Sequence, residues 1–255
     1  MKALSRVLSC LGNKTLYGLS AVLIFWHIMH LFANSNIIPG PYDSIIEFIR
    51  LSKGTLLLHV VVSFLRITSA VIISMGIGIP IGMWMGLSKR ADDIMSPIIY
   101  ILYPVPKIAF LPLLMIVFGL GNTSKIILII TIIVFQIILA VRDGVKEIPV
   151  ELYYSVKSLG LSQRQTYINL IIPAVLPKII SALRVSTGVS IAALFFGENF
   201  ATTYGIGYFI MNCWVMVDYV QMFAGIMALS IMGIAIYKAI DALEKKLCPW
   251  IFISY

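Results

Sequence analysis

The residues best placed to do chemistry are four charged side chains within or beside long apolar stretches: Arg66, Lys107, Arg184 and Glu198. An ionised group is costly in hydrocarbon, so it normally faces the interior of a helix bundle or a wet cavity, or extends to an interface. Arg66 and Arg184 lie near the ends of their stretches, where extension to the interface is the simpler alternative. Glu198 could instead pair with one of the three cations and keep that place neutral.

Histidine, cysteine and hydroxyl residues form no recognisable catalytic or metal-binding pattern. His27 and His30 are three positions apart, with no acidic residue or third ligand nearby in sequence, which favours packed or interfacial histidines. Cys10, Cys213 and Cys248 have neither metal-ligand spacing nor a paired framework, and no apolar region precedes Cys10 to make it a lipidation site. The sequence also contains no G-x-x-x-x-G-K-[ST] phosphate loop. We therefore expect no catalytic residue, metal or cofactor, and no ATP hydrolysis by this chain.

The composition predicts a single integral membrane domain. Apolar residues make up 60% of the 255 positions and charged residues 12%, compared with about 45–50% and about 25% in soluble domains. A soluble core of this size cannot bury so much apolar surface, whereas lipid solvates it directly. The net charge is +8, and the basic residues lie between apolar stretches. Anionic lipid headgroups are therefore their expected counterpart, rather than nucleic acid.

A membrane-spanning helix needs about 20 apolar residues. We predict about six such helices, at 15–33, 59–87, 94–119, 123–141, 174–196 and 220–241. The first is longer than the apolar core of a signal peptide, about 7–15 residues, so we expect it to be retained. The third contains Pro97, Pro104, Pro106 and Pro112 and should be broken, because each proline removes a backbone donor.

Broken backbone at membrane depth is tolerated where it is buried in protein or lines a cavity. The segment 103–113 is therefore a candidate for a pathway or its gate, with a structural kink as the alternative. Gly78, Gly82 and Gly86 recur every four residues, with Gly76 close by, which allows another helix to approach closely. We expect packing inside one subunit rather than a contact between two subunits.

Lysine and arginine placement predicts that both termini are cytoplasmic, because cytoplasmic segments are rich in these residues. With that orientation 13 of the 19 basic residues lie inside. The predicted organisation is an N-terminal cytoplasmic segment, first helix and external loop at 1–54, a transmembrane domain at 55–245, and a cytoplasmic tail at 246–255. An interfacial helix is expected within 34–58.

The longest polar interruption, 142–178, falls on the predicted cytoplasmic side. Pro149 and Glu151 suit the first turn of a helix that continues to Leu159. Gly160 should end that helix in a left-handed conformation, and Ser162 should cap a second helix that runs to Pro173. The loop is therefore predicted to be two short helices that meet at a glycine. An amphipathic loop lying on the lipid surface is the alternative.

The stretch 154–173 resembles the EAA loop of the membrane subunits of binding-protein-dependent ABC importers. Tyr154, Ser155 and Val156 occupy its first three positions, Gly160 its glycine, and the closing Leu-Ile-Ile-Pro ends at Pro173. Tyr154 replaces the glutamate of the motif. Glu151, one helical turn earlier, is a candidate substitute.

Residues 55–245 are similar more widely to the permeases of the nitrate, sulfonate and taurine importer group. The motifs that carry this similarity are GIPIG at 78–82, PVPK at 104–107, LPL at 111–113, FGLG at 118–121 with Ser124–Lys125, Gly197–Glu198, and YGIGY at 204–208. The resemblance implies an all-α membrane protein with the type I, MetI-like fold. It also implies a bacterial inner-membrane importer of a small anion.

The resemblance further implies the partners and the functional residues. Two ATPase subunits, an extracytoplasmic solute-binding protein and a second permease copy, expected to form a homodimer, would complete the importer. Residues expected to contact the ATPase are Glu151, Tyr154, Ser155, Val156, Gly160, Leu161 and Pro173. Candidate pathway residues are Tyr103, Pro104, Pro106, Lys107, Arg184 and Glu198. If the cargo is an anion, one or more of Arg66, Lys107 and Arg184 could attract it. The alternative is a secondary transporter driven by an ion gradient, a class that often has inverted repeats and intramembrane carboxylates. This sequence has no repeat, and Glu198 is its one candidate carboxylate.

Overall fold

The computed structural model describes residues 14–33 and 37–252, and the regular elements within them are all helical. The α-helices are α1 (Lys14–Ala33), α2 (Pro41–Ser52), α3 (Thr55–Leu87), α4 (Lys89–Leu102), α5 (Leu111–Phe118), α6 (Asn122–Lys146), α7 (Val150–Ser158), α8 (Gln163–Thr166), α9 (Ile172–Glu198), α10 (Ile206–Val215) and α11 (Tyr219–Leu247). Short 3₁₀ helices occupy Lys107–Phe110 and Pro249–Phe252, and a π-helical segment occupies Tyr167–Ile171. The predicted segment before residue 14, with Cys10, and residues 253–255 lie outside the described residues.

Four helical stretches of the described chain are long and apolar enough to cross a membrane: α3, α6, the stretch Gln163–Glu198, and α11. The predicted third span is a bent pair, α4 followed by Lys107–Phe118, with an angle of 76° between the two parts. The prediction of a broken helix is therefore confirmed. The predicted first span corresponds to α1, whose apolar part, Tyr17–Ala33, is shorter than these four.

The predicted helix end at Pro173 is wrong. Pro173 lies in the first turn of α9, and the chain stays helical from Gln163 to Glu198. The π-helical segment Tyr167–Ile171 directly precedes it. A proline is tolerated in a helix where local π-type adjustments accommodate the missing donor. The second loop helix and the fifth predicted span are consequently one continuous element.

Close packing of α3 against α6 brings the centre of the bundle together. A Cβ atom placed on Gly78 would lie 2.8 Å from Ile137 Cγ2, and one on Gly86 would lie 2.5 Å from Val145 Cβ. One on Gly82 would lie 2.6 Å from a backbone oxygen of α6. These three glycines therefore pack inside the subunit, as predicted, because only hydrogen fits between the two backbones.

Helix α9 runs through the centre of the fold and touches both ends of it. Near its beginning, Val175 and Ile180 are buried with Val141 of α6 and Ile240 of α11. Farther along, Leu194 is buried among residues of α3, α6 and α11. The outer surface carries many exposed apolar side chains, as expected for helices solvated by lipid.

Helices α1 and α2 lie at the side of the bundle. Trp26 of α1 stacks on Phe223 of α11, with ring centroids 5.4 Å apart, and its Nε1 donates to the Pro39 carbonyl at 3.1 Å. His30 Nδ1 lies 2.6 Å from the Ile38 carbonyl oxygen. The helix predicted within 34–58 is confirmed as α2, whose Phe48 packs with Leu56 of α3 and residues of α10.

Candidate functional site

The polar loop 142–178 folds as a helix, a glycine turn and a second helix. Helix α7 begins directly after Pro149, with Glu151 in its first turn. Gly160 has φ +71°, its N–H donates to the Lys157 carbonyl, and the following N–H donates to the Val156 carbonyl. This is the Schellman arrangement, which satisfies carbonyls that the helix end leaves free. The predicted helix and its glycine stop are confirmed.

The second helix of the loop begins with a capping box. Ser162 Oγ accepts from the Gln165 N–H at 3.4 Å, and Gln165 Oε1 accepts from the Ser162 N–H at 2.9 Å. Two donors at the helix start are thus satisfied reciprocally. The predicted N-cap is confirmed.

Replacing Ser162 with alanine should weaken this helix start by about 1 kcal/mol, because the N-cap acceptor is lost. Hydrogen exchange at the amides of 163–166 should become faster while exchange in α6 is unchanged. Ser158→Ala is the matched control, since Ser158 Oγ only donates back to the Tyr154 carbonyl inside an exposed helix. Equal exchange rates in the Ser162 variant and the parent protein would contradict the capping role.

Helix α7 has one face on the bundle and one face exposed. Tyr153 is half-buried and packs against a core cluster that includes Val145 of α6 and Val175 of α9, and this burial raises the pKa of its phenol. Glu151, Tyr154 and Ser155 are exposed, Tyr154 by 64% of its surface. Leu159 at the helix end is 77% exposed. The exposed face therefore mixes an aromatic ring and an apolar side chain with a carboxylate.

A salt bridge joins the two long helices at the base of the loop. Lys178 Nζ of α9 lies 2.8 Å from Glu147 Oε2, which directly follows α6. Val156 is half-buried on the inner side of α7, and Leu161 is half-buried after the glycine turn. The ends of α6 and α9 that flank α7 are therefore held together by an ion pair.

At the opposite end of the bundle, Glu198 lies in a buried polar network. Arg66 Nη1 donates to Glu198 Oε1 at 2.6 Å, and both side chains are almost fully buried. Ser63 Oγ lies 2.8 Å from the same oxygen, and the Gly207 N–H donates to Oε2 at 2.9 Å. The pairing of Glu198 with one of the cations is confirmed, and Arg66 is that partner.

The network also caps the beginning of α10. The Gly205 N–H donates to His59 Nδ1 at 3.0 Å, and the Ile206 N–H donates to Ser63 Oγ at 2.8 Å. With the bond from Gly207 to Glu198, three successive backbone donors end on side chains of α3 and α9. Gly205 has φ +148°, and a Cβ there would lie within 2.4 Å of the Glu198 carboxyl carbon. Only glycine fits at this position.

Two residues at the start of α6 complete the network. Asn122 Oδ1 accepts from Arg66 Nη2 at 2.6 Å and from Nε at 2.9 Å. Lys125 is 1% exposed, and its Nζ donates to the carbonyls of Leu120 at 2.8 Å and Gly121 at 3.3 Å. Its third partner is the carbonyl of Ala201 at 3.5 Å. Arg66 Nη1 also donates to the Tyr204 carbonyl at 2.8 Å, so cations of α3 and α6 both hold the loop 199–205.

The other candidate pathway residues lie apart from this network. Tyr103, Pro104 and Pro106 form the turn of the bent pair, where Lys107 Nζ donates to the carbonyls of Leu102 and Tyr103 at the end of α4. Arg184 Nη2 is 2.8 Å from both Asp241 Oδ1 and Glu244 Oε2 of α11.

Sequence reasoning missed His59, Ser63 and Asn122 as members of the Glu198 network. A signal for two of them exists, because His59, Ser63 and Arg66 are spaced i, i+4, i+7 and form a polar stripe along an apolar helix. Asn122 gives no such signal, since an asparagine at a helix start is usual.

Residues 78–251, more than half of the chain, match the family described as binding-protein-dependent transport system inner membrane component. The chain belongs to this family. The permease is 33% identical over 242 residues to the taurine transport system permease protein TauC of Escherichia coli, a match that covers 91% of this chain and 88% of that protein. It is 28% identical to the putative aliphatic sulfonates transport permease protein SsuC of Bacillus subtilis, over 91% of this chain and 85% of that protein. It is also 28% identical to the nitrate import permease protein NrtB of Synechococcus elongatus, over 75% of this chain and 73% of that protein.

A chain of the MetNI methionine ABC transporter in an inward-facing conformation is similar in structure. The TM-score is 0.64 at 18% sequence identity, over 76% of the permease and 96% of that chain. At this identity the likeness establishes the fold, and it confirms the predicted type I, MetI-like class. Together with the family, it identifies the chain as a multi-pass permease subunit of an ABC importer, and the alternative of a secondary transporter is not retained.

Proposed function

We propose that this permease forms the translocation pathway for a small organic or inorganic anion such as a sulfonate, taurine or nitrate. The three relatives named above are described as permeases for taurine, aliphatic sulfonates and nitrate, which supports this class of cargo. Its energy comes from ATP hydrolysed by partner subunits. An external solute-binding protein delivers the cargo.

The observation that carries the proposal is the two-sided packing of α7. Its outer face, with Glu151, Tyr154, Ser155 and the turn at Gly160, is free to enter a groove of an ATPase. Its inner face, through Tyr153, packs against a core cluster that includes residues of α6 and α9. An element held in this way transfers a partner's movement to two membrane helices at once.

The proposed complex contains two ATPase subunits and two copies of this permease, arranged as a homodimer in the bacterial inner membrane. Both termini are cytoplasmic, which places the loop 142–178 and the tail 246–255 beside the ATPases. The transmembrane domain is 55–245, and residues 1–54 add the helices α1 and α2 at its side. Val156, Leu161 and Pro173 shape the ATPase-contacting loop from within.

For the pathway, the turn at Tyr103, Pro104, Pro106 and Lys107 is a proposed gate element because it interrupts the bent span. Arg184 and Glu198 act in the proposal by holding helices, since each forms an ion pair with a neighbouring helix. They set the positions of α9 relative to α11 and α3. In this proposal the segments that move lie between the two ion pairs, that of Arg184 with α11 and that of Glu198 with α3.

Substitution at Gly160 tests the coupling role. Gly160→Val should lower ATP-driven uptake by about tenfold, because a β-branched residue is strained in the left-handed conformation by about 1–2 kcal/mol, and about 1.4 kcal/mol corresponds to tenfold. Gly160→Asn is the matched control, since asparagine adopts this conformation more readily, and its uptake should stay near that of the parent. The measurement is uptake of labelled taurine, ethanesulfonate or nitrate by the reconstituted importer.

Purification of the parent permease and of the two Gly160 variants also tests the proposed ATPase partner. An ATPase subunit should co-purify with the parent permease and with Gly160→Asn, and less of it with Gly160→Val. Uptake that persists in vesicles without any ATPase subunit would overturn the proposal. Uptake of none of the three anions, with ATPase binding intact, would overturn the cargo class alone.

A further inference from the structure

We propose that the cleft beside Arg66 is a binding site for a small oxyanion of the sulfonate type. This inference rests on the proposed function, because it places the anionic cargo at one point of the bundle. The cleft encloses about 700 Å³, within the range of small-molecule sites. It is lined by Val62, Arg66, Leu120, Gly121, Asn122 and the loop residues 201–204.

Arg66 lines the cleft, and the charges buried around it do not balance. Arg66 and Lys125 together carry two positive charges, and Glu198 carries one negative charge, which leaves a net charge of +1. Arg66 is 5% exposed, Lys125 is 1% exposed and Glu198 is fully buried. His59 adds no charge, since its Nδ1 accepts a hydrogen bond from the Gly205 N–H.

Lys125 is the uncompensated cation. Arg66 is 2.6 Å from Glu198, whereas the three partners of Lys125 Nζ are the carbonyl oxygens of Leu120, Gly121 and Ala201. Within the described part of the chain, no ion pair involves Lys125. A buried charge without a counter-ion is costly, by several kcal/mol in general. A negative charge bound in the neighbouring cleft would reduce that cost.

The cleft is where such a counter-ion fits. Leu120, Gly121 and Ala201, whose carbonyls accept from Lys125 Nζ, are also wall residues of the cleft, so the ammonium group shares its partners with the cleft wall. Arg66 lines the cleft itself. Thr203 adds a hydroxyl group to the lining, and hydroxyls donate to sulfonate oxygens, whereas the Thr202 hydroxyl donates to the Phe200 carbonyl at 3.0 Å.

The location agrees with arrival of cargo from outside. Glu198 ends α9, and the opposite end of the stretch Gln163–Glu198 carries the loop proposed to bind the ATPase. The cleft is therefore at the end of the bundle that the solute-binding protein would face. A phosphate group of a lipid has the same oxyanion chemistry, so the test separates a free anion from a headgroup.

The test uses the purified full chain in phosphatidylcholine nanodiscs, without ATPase, and follows thermal unfolding during titration with ethanesulfonate. The parent protein should be stabilised in a saturable way. Lys125→Met, which brings the local charge sum to zero, should raise the apparent Kd at least tenfold. Lys53→Met, at an exposed lysine that caps α2, is the matched control and should keep the parent's Kd.

A variant of the cleft lining keeps the test valid if Lys125→Met folds poorly. Thr203→Val should raise the apparent Kd about threefold without changing unfolding in the absence of the anion. Stabilisation by phosphatidylglycerol discs without added anion, abolished by Lys125→Met, would support the oxyanion site and identify the headgroup as its ligand.

Two results would overturn the inference. One is the absence of any stabilisation of the parent protein by ethanesulfonate or by phosphatidylglycerol. The other is equal stabilisation of the parent and the Lys125 and Thr203 variants, which would locate anion binding elsewhere. Either result is compatible with full ATP-driven uptake by the complete importer, so the proposed function would stand while this site would not.

Discussion

Arg66→Ala is expected to lower the free energy of unfolding by about 3–5 kcal/mol, because it leaves the carboxylate of Glu198 buried without its partner. Glu198 is fully buried and would keep only neutral donors, Ser63 Oγ and the Gly207 N–H. Unfolding in detergent, followed by circular dichroism, measures the loss. Accumulation of the variant in the membrane should fall in parallel.

Arg50→Ala is the matched control for this prediction. Arg50 also pairs with a glutamate, Glu47, at 3.6 Å, but its side chain is 78% exposed. Such a pair contributes about 0–1 kcal/mol, since water solvates the remaining charge. The double variant Arg66→Ala with Glu198→Ala should recover part of the loss, and equal losses at Arg66 and Arg50 would contradict the buried pair.

Gly82→Ala is expected to destabilise the permease by about 1–3 kcal/mol, because the added methyl group overfills the contact between α3 and α6. The new Cβ would lie 2.6 Å from the Ile138 carbonyl oxygen and 2.7 Å from Val141 Cβ. A backbone oxygen cannot move aside as a flexible side chain can. Thermal unfolding in detergent measures the shift.

Gly76→Ala provides the comparison within the same helix. No heavy atom lies within 4 Å of a Cβ at Gly76, so the change adds only the better helix propensity of alanine, about 1 kcal/mol at most. Its stability should equal or exceed that of the parent. A larger loss at Gly76 than at Gly82 would mean that the close helix contact lies elsewhere, for instance between two subunits.

These two predictions concern opposite halves of α3, with Arg66 in its first half and Gly82 near its end. Helix α9 is continuous with the loop that carries α7, and it ends at Glu198. In the proposed function, a displacement of α7 reaches Glu198 through this helix. The pair with Arg66 then determines how far the outer end of α9 can separate from α3.

Local features of the coupling loop could be predicted well from the sequence. Gly160 and Ser162 have the predicted conformations because a left-handed turn favours glycine and a helix start favours a serine acceptor, and both effects act within a few residues. Pro173 was predicted wrongly as a helix end. Its effect depends on whether a π-helical segment accommodates it, and nothing in the local pattern indicates that segment.

The sequence by itself determined that the chain resides in a membrane, that its third span is broken, and that its polar loop is a helix–glycine–helix unit. Composition, proline chemistry and capping decide these features over short distances. Only the tertiary structure decided that Glu198 pairs with Arg66, 132 positions away, and that Lys125 has no acidic partner in an ion pair in the described part of the chain. Burial and charge balance depend on which helices meet, and that is a property of the assembled bundle.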